Sequence, residues 1–320
     1  MDISNALPLF VLAVIAVAMP TFVSTRFWLN IFIIVFVKCT ISVSLRTLAL
    51  SGNMSFAHGA FMGIGAYTAA TLANHAGLPP YLTIPAAAVL AMVIGVVTGF
   101  PFIRLRSVYF VMASLFLGIS IVYVFSSMKI LGGLMGISYV PPLFSNIMAN
   151  YYFFLVLAVV CCSIMYRFEF SRIGVTLRAI AQSPEAAAAM GVSETYFKLL
   201  AVGVGCFFAG LAGAAYAHYN SMLSPNSFGF LASLWFMIYI MIGGQDKFVG
   251  PILGSIILVV LPEASRAMNQ YAPYVTAAVM ILAAYLLPGG LASIPSVAIK
   301  TICKVQRRRV TPKAKVGGSE

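Results

Sequence analysis

Residues 82–103 read LTIPAAAVLAMVIGVVTGFPFI, a run without one charged side chain. A helix needs about 20 mostly apolar residues to cross the hydrocarbon core of a bilayer. The apolar positions here are continuous and lack the polar alternation of a barrel strand, so the stretch reads as a membrane-crossing helix. Comparable stretches lie on either side, at 6–24, 27–45, 54–73, 108–128, 150–166, 198–219, 228–243, 248–262 and 274–299. The last is broken by Pro288-Gly289-Gly290, which blurs its end. Of the 320 residues, 62% are hydrophobic and 8% are charged, whereas about a quarter are charged in a soluble domain. So few charges cannot cover a water-soluble globule of this size, and lipid must be the solvent for most of the outside. The reading is an all-α, polytopic transmembrane helix bundle of about ten spans.

The net charge of +12 is unevenly placed. With both termini in the cytoplasm, Arg46, Arg104, Arg106, Arg167, Arg172, Arg178, Lys198 and Lys247 fall in inside loops. The tail adds Lys300, Lys304, Arg307, Arg308, Arg309, Lys313 and Lys315 on the same side. Arg26, Lys129 and Arg266 fall outside, and Lys38 falls within a span. Fifteen basic residues inside against three outside is the asymmetry that orients membrane proteins, and it supports ten spans with both ends cytoplasmic. Basic residues beside spans suit anionic lipid headgroups and leave no role for nucleic acid. The expected organisation is a transmembrane domain over 1–299, with a long interior loop at 167–197, and a basic cytoplasmic tail over 300–320. The first stretch, Ala6 to Val23, has no basic leader or small-residue cleavage site and reads as a span rather than a removed signal.

Reactive constellations are missing from the sequence. There is no Gly-Lys pair and therefore no phosphate-binding P-loop. HExxH, CxxC and GxSxG are absent too. His58, His75 and His218 are far apart, and Cys39, Cys161, Cys162 and Cys206 lie in apolar spans as small buried hydrophobes. No catalytic residue, metal site or cofactor is expected. The acids Asp2, Glu169, Glu185, Glu194, Asp246, Glu263 and Glu320 sit in loops, at termini or at a span's edge. Ion-driven carriers usually hold a carboxylate at mid-membrane, so an ion-coupled secondary carrier is the remote alternative.

Small residues recur four apart at Gly59/Gly63, Gly95/Gly99, Ala209/Gly213 and Gly250/Gly254, a spacing that lets helices approach closely in lipid. Gly52, Gly59 and Gly63 match Gly243, Gly250 and Gly254 at constant offset, a faint internal repeat of a kind found in transporters. Asn53, Ser55 and His58 open the first of these glycine-rich spans and are candidates to line a substrate path, with packing as the equal alternative.

The interior loop carries Ser183-Pro184-Glu185-Ala186-Ala187-Ala188-Ala189-Met190-Gly191. Ser183 suits an N-cap and Pro184 the first helical position. Glu185 complements the positive helix end. The alanines favour helix, and Gly191 can end it in a left-handed conformation. The spacing predicts a short helix with a small face that either fits a groove on another protein or is an unpartnered surface helix.

Here a resemblance becomes specific. Glu185-Ala186-Ala187, three residues, then Gly191 resembles the EAA-xxx-G signature of ABC importer permeases. Tyr196-Phe197-Lys198-Leu199-Leu200-Ala201 through Ala209-Gly210-Leu211-Ala212-Gly213 to Tyr216-Ala217-His218 is similar to the LivM-type permeases of branched-chain amino-acid importers. So are Ser55-Phe56-Ala57-His58-Gly59-Ala60-Phe61 with Gly63-Ile64-Gly65-Ala66-Tyr67, Arg104-Leu105-Arg106 with Tyr109-Phe110, and Gly243-Gly244 with Gly250-Pro251 and Gly254. Leu45, Met135 and Asp246 depart from the family pattern, where asparagine, aspartate and glycine are usual.

The resemblance implies a non-catalytic, multi-pass subunit of a bacterial inner membrane. It would form half of a translocation pathway with a homologous LivH-type permease, driven by two cytoplasmic ATPase subunits and fed by a periplasmic substrate-binding protein. The short helix, through Pro184, Glu185, Ala186, Ala187 and Gly191, would dock on an ATPase subunit. The implied cargo is leucine, isoleucine or valine, with urea, short amides or aromatic acids as the cargo of relatives.

Overall fold

The computed structural model describes residues 12, 14, 16–20, 25–105, 107–266, 271–286 and 290–291. Most of the expected first span, the end of the last span with its Pro288-Gly289 break, Arg106 and the basic tail lie outside the described residues. The described chain is helical: α1 (Arg26–Ala49), α2 (His58–Ala76), α3 (Pro80–Phe102), α4 (Ser107–Ser127), α5 (Ile147–Glu169), α6 (Arg172–Gln182), α7 (Pro184–Ala189), α8 (Glu194–Asn220), α9 (Phe230–Gly243), α10 (Gly250–Ala264) and α11 (Ala272–Leu286). Among the described residues six segments are long and apolar enough to cross a membrane: α1, α3, α4 from Val108, α5, α8, and Pro225–Gly243, which contains α9.

Local chemistry sets the helix ends. Asn146 caps α5 by accepting a hydrogen bond from Met148 N at 3.0 Å. Gly77 closes α2 in a left-handed conformation, φ 61°. Pro80 opens α3, where a missing N–H costs nothing.

Two expected spans start later than the apolar pattern suggested. The span expected from residue 54 begins at His58, and the segment 50–57 is irregular. Ser51 and Gly52 turn back on Leu48 O and Ala49 O, and Gly52 takes φ 80°, which ends α1. The span expected from residue 228 begins at Phe230 after a 3₁₀ turn, Pro225–Phe228. The interior loop holds two helices where one was expected. The additional one is α6, which buries Gly174, Leu177 and Ile180 at three-residue spacing and leaves the rest half-buried or exposed.

The centre of the bundle is built by α2, α3 and α8. Gly65 lies against the backbone of Gly210, Gly213 against the Met62 carbonyl, and Gly95 against Cys206, leaving no room for a Cβ at any of them. The four-residue small-residue pattern is therefore a close-packing device here.

Polar contacts sort the loops into two ends. At one end Arg46 of α1, Glu169 of α5, Arg178 of α6 and the α9–α10 link meet. At the other, Asn74 donates to Tyr139 O at 2.7 Å, Ile137 pairs with Leu223, and Tyr219 donates to Asn30. His218 also belongs to that end. Its Nδ1 donates to Pro141 O (2.8 Å) and its Nε2 meets the Thr83 hydroxyl (2.8 Å). That is a packed, hydrogen-bonded histidine.

Candidate functional site

The irregular segment 50–57 is largely enclosed by protein, with Gly52 exposed. Ser51, Asn53, Ser55 and Ala57 are buried, and Phe56 N donates to Ser114 Oγ at 3.0 Å. A Cβ at Gly118 would sit 3.2 Å from Phe56 O. Gly118 lies about 16 Å along α4 from its first residue at 1.5 Å per residue, so the segment enters the body of the bundle. Non-helical backbone survives at membrane depth only where protein or a water-filled cavity surrounds it. A second interruption meets the first: Phe230 opens α9 with its ring 5.6 Å from that of Phe56, and Ser233 Oγ accepts from Gly59 N at 2.9 Å.

His58 is the first residue of α2 and fully buried. Ser44 Oγ donates to Ile41 O at 2.8 Å, so its single proton is used. The 2.7 Å contact to His58 must then carry the imidazole proton from Nε2 to Ser44. That leaves Nδ1 as a bare acceptor, with no hydrogen-bond partner among the described residues. His58 also lines a cavity of about 20 Å³, together with Leu48, Ser55, Thr98, Ser114, Cys206 and apolar neighbours. That volume suits about one water and is far too small for an amino acid.

Of the three sequence candidates, the structure brings Ser55 and His58 together at this cavity. Asn53 is buried nearby but does not line it. Ser44, Thr98 and Ser114 join the site although nothing in the sequence singled them out. Each is a hydroxyl in a largely apolar helix that also bonds its own backbone, a pattern common to packing serines and threonines.

The second candidate site is α7. Ser183 is extended and its Oγ accepts from Ala186 N at 3.3 Å, Pro184 takes the first helical position, and Glu185 lies in the first turn. Val192 N returns to Ala187 O at 3.1 Å, and Gly191 has φ 80° with open space where a Cβ would be. Pro184, Glu185, Ala186, Ala188, Ala189 and Gly191 are exposed, and Met190 is 85% exposed. Ala187 is only 8% exposed and is turned into its own chain, where α7 meets α6 and α8. The free face of this helix is therefore built from Glu185, Ala186, Ala188 and Ala189. Among the described residues no three metal-ligating side chains come together.

Long apolar helices, glycine-mediated contacts and polar irregular backbone held inside the bundle define a multi-pass membrane protein. The family model described as branched-chain amino acid transport system / permease component matches residues 27–284, and the chain belongs to that family. The high-affinity branched-chain amino acid transport system permease protein LivM of Salmonella typhimurium is 29% identical over 320 residues, covering 90% of this chain and 75% of the relative. LivM of Escherichia coli K12 matches to the same extent. The LivH permease protein of the Salmonella typhimurium system is 27% identical over 143 residues, 44% of this chain and 46% of the relative. No solved structure gives a significant match.

Proposed function

We propose that this chain is one transmembrane permease subunit of an ATP-binding-cassette importer for branched-chain, hydrophobic amino acids. It crosses a bacterial inner membrane ten times with both termini in the cytoplasm. Residues 1–299 form the permease domain, and 300–320 form a basic cytoplasmic tail. A homologous LivH-type permease supplies the other half of the pathway. Two ATPase subunits dock from the cytoplasm, and a periplasmic binding protein delivers leucine, isoleucine or valine. The chain performs no chemistry; it converts ATPase motion into alternating access.

The observation that carries this reading is α7, a capped six-residue helix with a small exposed face and a glycine exit. It projects from the end of the molecule where Arg46, Glu169, Arg178 and the α9–α10 link converge. Pro184, Glu185, Ala186 and Gly191 contact an ATPase subunit directly, and Ala187 supports them from behind. Asn53, Ser55 and His58, buried in this chain, shape the wall of the substrate path from behind. That path opens between this chain and its partner permease, because the cavity inside this chain is too small for cargo.

The test is ATP-driven uptake of radiolabelled leucine into vesicles containing all the subunits, with a protonophore added. Uptake should be unchanged by the protonophore and abolished by Ala186→Trp, which blocks docking on the exposed face while leaving the bundle intact. Wild-type association of the ATPase subunits and wild-type uptake in Ala186→Trp would refute the docking assignment. Collapse of uptake under the protonophore would favour an ion-coupled carrier.

A further inference from the structure

Glu169 ends α5 and is 1% exposed, yet it carries a charge shared by two arginines. One carboxylate oxygen accepts from Arg46 Nη1, in the last turn of α1, and the other accepts from Arg178 Nη2, on α6. Arg46 is itself 2% exposed. Two further donors go to the α9–α10 link: Nε to Gln245 O at 3.1 Å and Nη2 to Asp246 O at 3.3 Å. The Arg46 guanidinium also lies 5.8 Å from the Phe248 ring centroid, and that of Arg178 lies 5.5 Å from the Phe170 ring centroid. One carboxylate thus ties α6 to α1 and, through Arg46, to the α9–α10 link.

A buried ion pair adds little net stability, because desolvation offsets most of the Coulomb gain. Its geometry, by contrast, is strict, since every donor of the guanidinium needs a partner. Helix α6 leads directly into α7. It also touches the α1–α2 link, where a Cβ at Gly52 would lie 3.4 Å from Ala181 Cβ. The α6–α7 arm therefore meets the bundle at both irregular links, once by packing and once through Glu169.

We propose that Glu169 is a positioning residue that transmits movement of the α6–α7 arm to α1 and the α9–α10 link. This rests on the importer reading. Without the carboxylate, displacement of α7 by an ATPase subunit is absorbed at the Phe170-Ser171 turn between α5 and α6. The arm moves, and the ends of the bundle helices stay where they are.

The experiment uses vesicles containing the whole complex and measures leucine uptake and ATP hydrolysis together. Glu169→Gln keeps the shape and removes the charge. Its ratio of uptake to hydrolysis should fall roughly tenfold, the factor that corresponds to 1.4 kcal/mol, while hydrolysis itself persists. Arg178→Ala should shift the ratio in the same direction, and Arg178→Lys, which keeps a cation facing Glu169, should restore it. Glu169→Gln leaves Arg46 buried without a counter-charge, which endangers folding. The double variant Arg46→Met/Glu169→Leu removes both buried charges and should still assemble, because apolar replacement of a whole buried pair is generally tolerated. It should show the same lowered ratio. An unchanged ratio in the assembled variants overturns the proposal. So does a parallel loss of uptake and hydrolysis in proportion to the assembled complex, since that marks a purely structural residue. If wild-type vesicles take up no leucine with ATP, the importer reading fails and takes this proposal with it.

Discussion

The chain twice passes from one helix through an irregular link into a glycine-rich helix: α1 into α2 through 50–57, and α9 into α10 through 244–249. Both passages carry the same glycine spacing, Gly52/Gly59/Gly63 and Gly243/Gly250/Gly254. Their surroundings differ. The first link is buried and polar, with Ser51, Asn53 and Ser55 inside the protein. The second exposes Gln245, Asp246 and Lys247, and two of its carbonyls receive Arg46. The second and third glycines of both triplets press on the stretch around α9. Gly59 and Gly63 meet mainly side chains at its start, Ser233 Oγ and Phe228, with the Ser233 backbone N at 3.1 Å from Gly59 and Phe125 of α4 beside Gly63. Gly250 and Gly254 meet backbone carbonyls toward its end, those of Gly244 and Tyr239. Identical spacing therefore produces a partly adjustable contact at one end of α9 and a backbone-on-backbone one at the other. Side chains can rotate away; helix backbone cannot.

The largest expected effect tests that contrast. Gly254→Ala puts a methyl group onto the Tyr239 carbonyl and should destabilise the protein by about 2–3 kcal/mol, the upper range of overpacking. Gly63→Ala meets Phe125 Cε2 and Phe228 Cβ at 2.8 and 2.9 Å. The Phe125 ring can swing aside while Phe228 Cβ moves only with its backbone in the short 3₁₀ turn, so the cost should be smaller, about 1–2 kcal/mol. Thermal unfolding in detergent ranks the two. Equal costs would break the comparison between yielding and rigid ends.

A middle-sized effect is expected at two serines that look alike in sequence. Ser233 accepts from Gly59 N across helices at 2.9 Å, while Ser255 only donates to Ile252 O within its own helix. Ser233→Ala should cost about 1 kcal/mol, since it strands a buried N–H. Ser255→Ala should cost close to nothing, because the Ile252 carbonyl has other uses in the helix ladder. A larger loss at Ser255 than at Ser233 would mean that α9 is held mainly from its α10 side.

These paired positions show what the sequence carried and what it did not. Six of the expected spans were legible because lipid demands long apolar runs, and 82–103 alone announces one. The α7 helix was legible because Ser183, Pro184 and Gly191 each satisfy a local backbone requirement. The late starts at His58 and Phe230 were not, because Met54-Ser55-Phe56-Ala57 is apolar enough to continue a helix and only the tertiary contacts of Phe56 and Ser114 stop it. Helix α6 was hidden inside a charged loop, since three buried positions, Gly174, Leu177 and Ile180, are too few to stand out. The inward turn of Ala187 was equally hidden: four successive alanines give no clue to which one faces the chain. Glu169 read as one more loop acid because its partners are 123 and 9 residues away.

The smallest effect is expected at the glycine that opens the first passage. Gly52 has φ 80°, and a Cβ there meets Ala181 Cβ and Cα at 3.4 and 3.5 Å, ordinary van der Waals contact. The constraint is therefore conformational rather than steric. Asparagine enters the left-handed region more readily than other L-residues. Gly52→Asn should cost below about 1 kcal/mol, whereas Gly52→Val, β-branched at positive φ, should cost clearly more. If the asparagine variant retains the melting temperature and leucine uptake of the wild type, Gly52 serves the α1–α2 turn alone. If it keeps its melting temperature but loses uptake, the Gly52–Ala181 contact transmits motion from α6. The two glycine triplets would then differ in function as well as in packing, the first carrying movement from the arm and the second fixing the rigid end of α9.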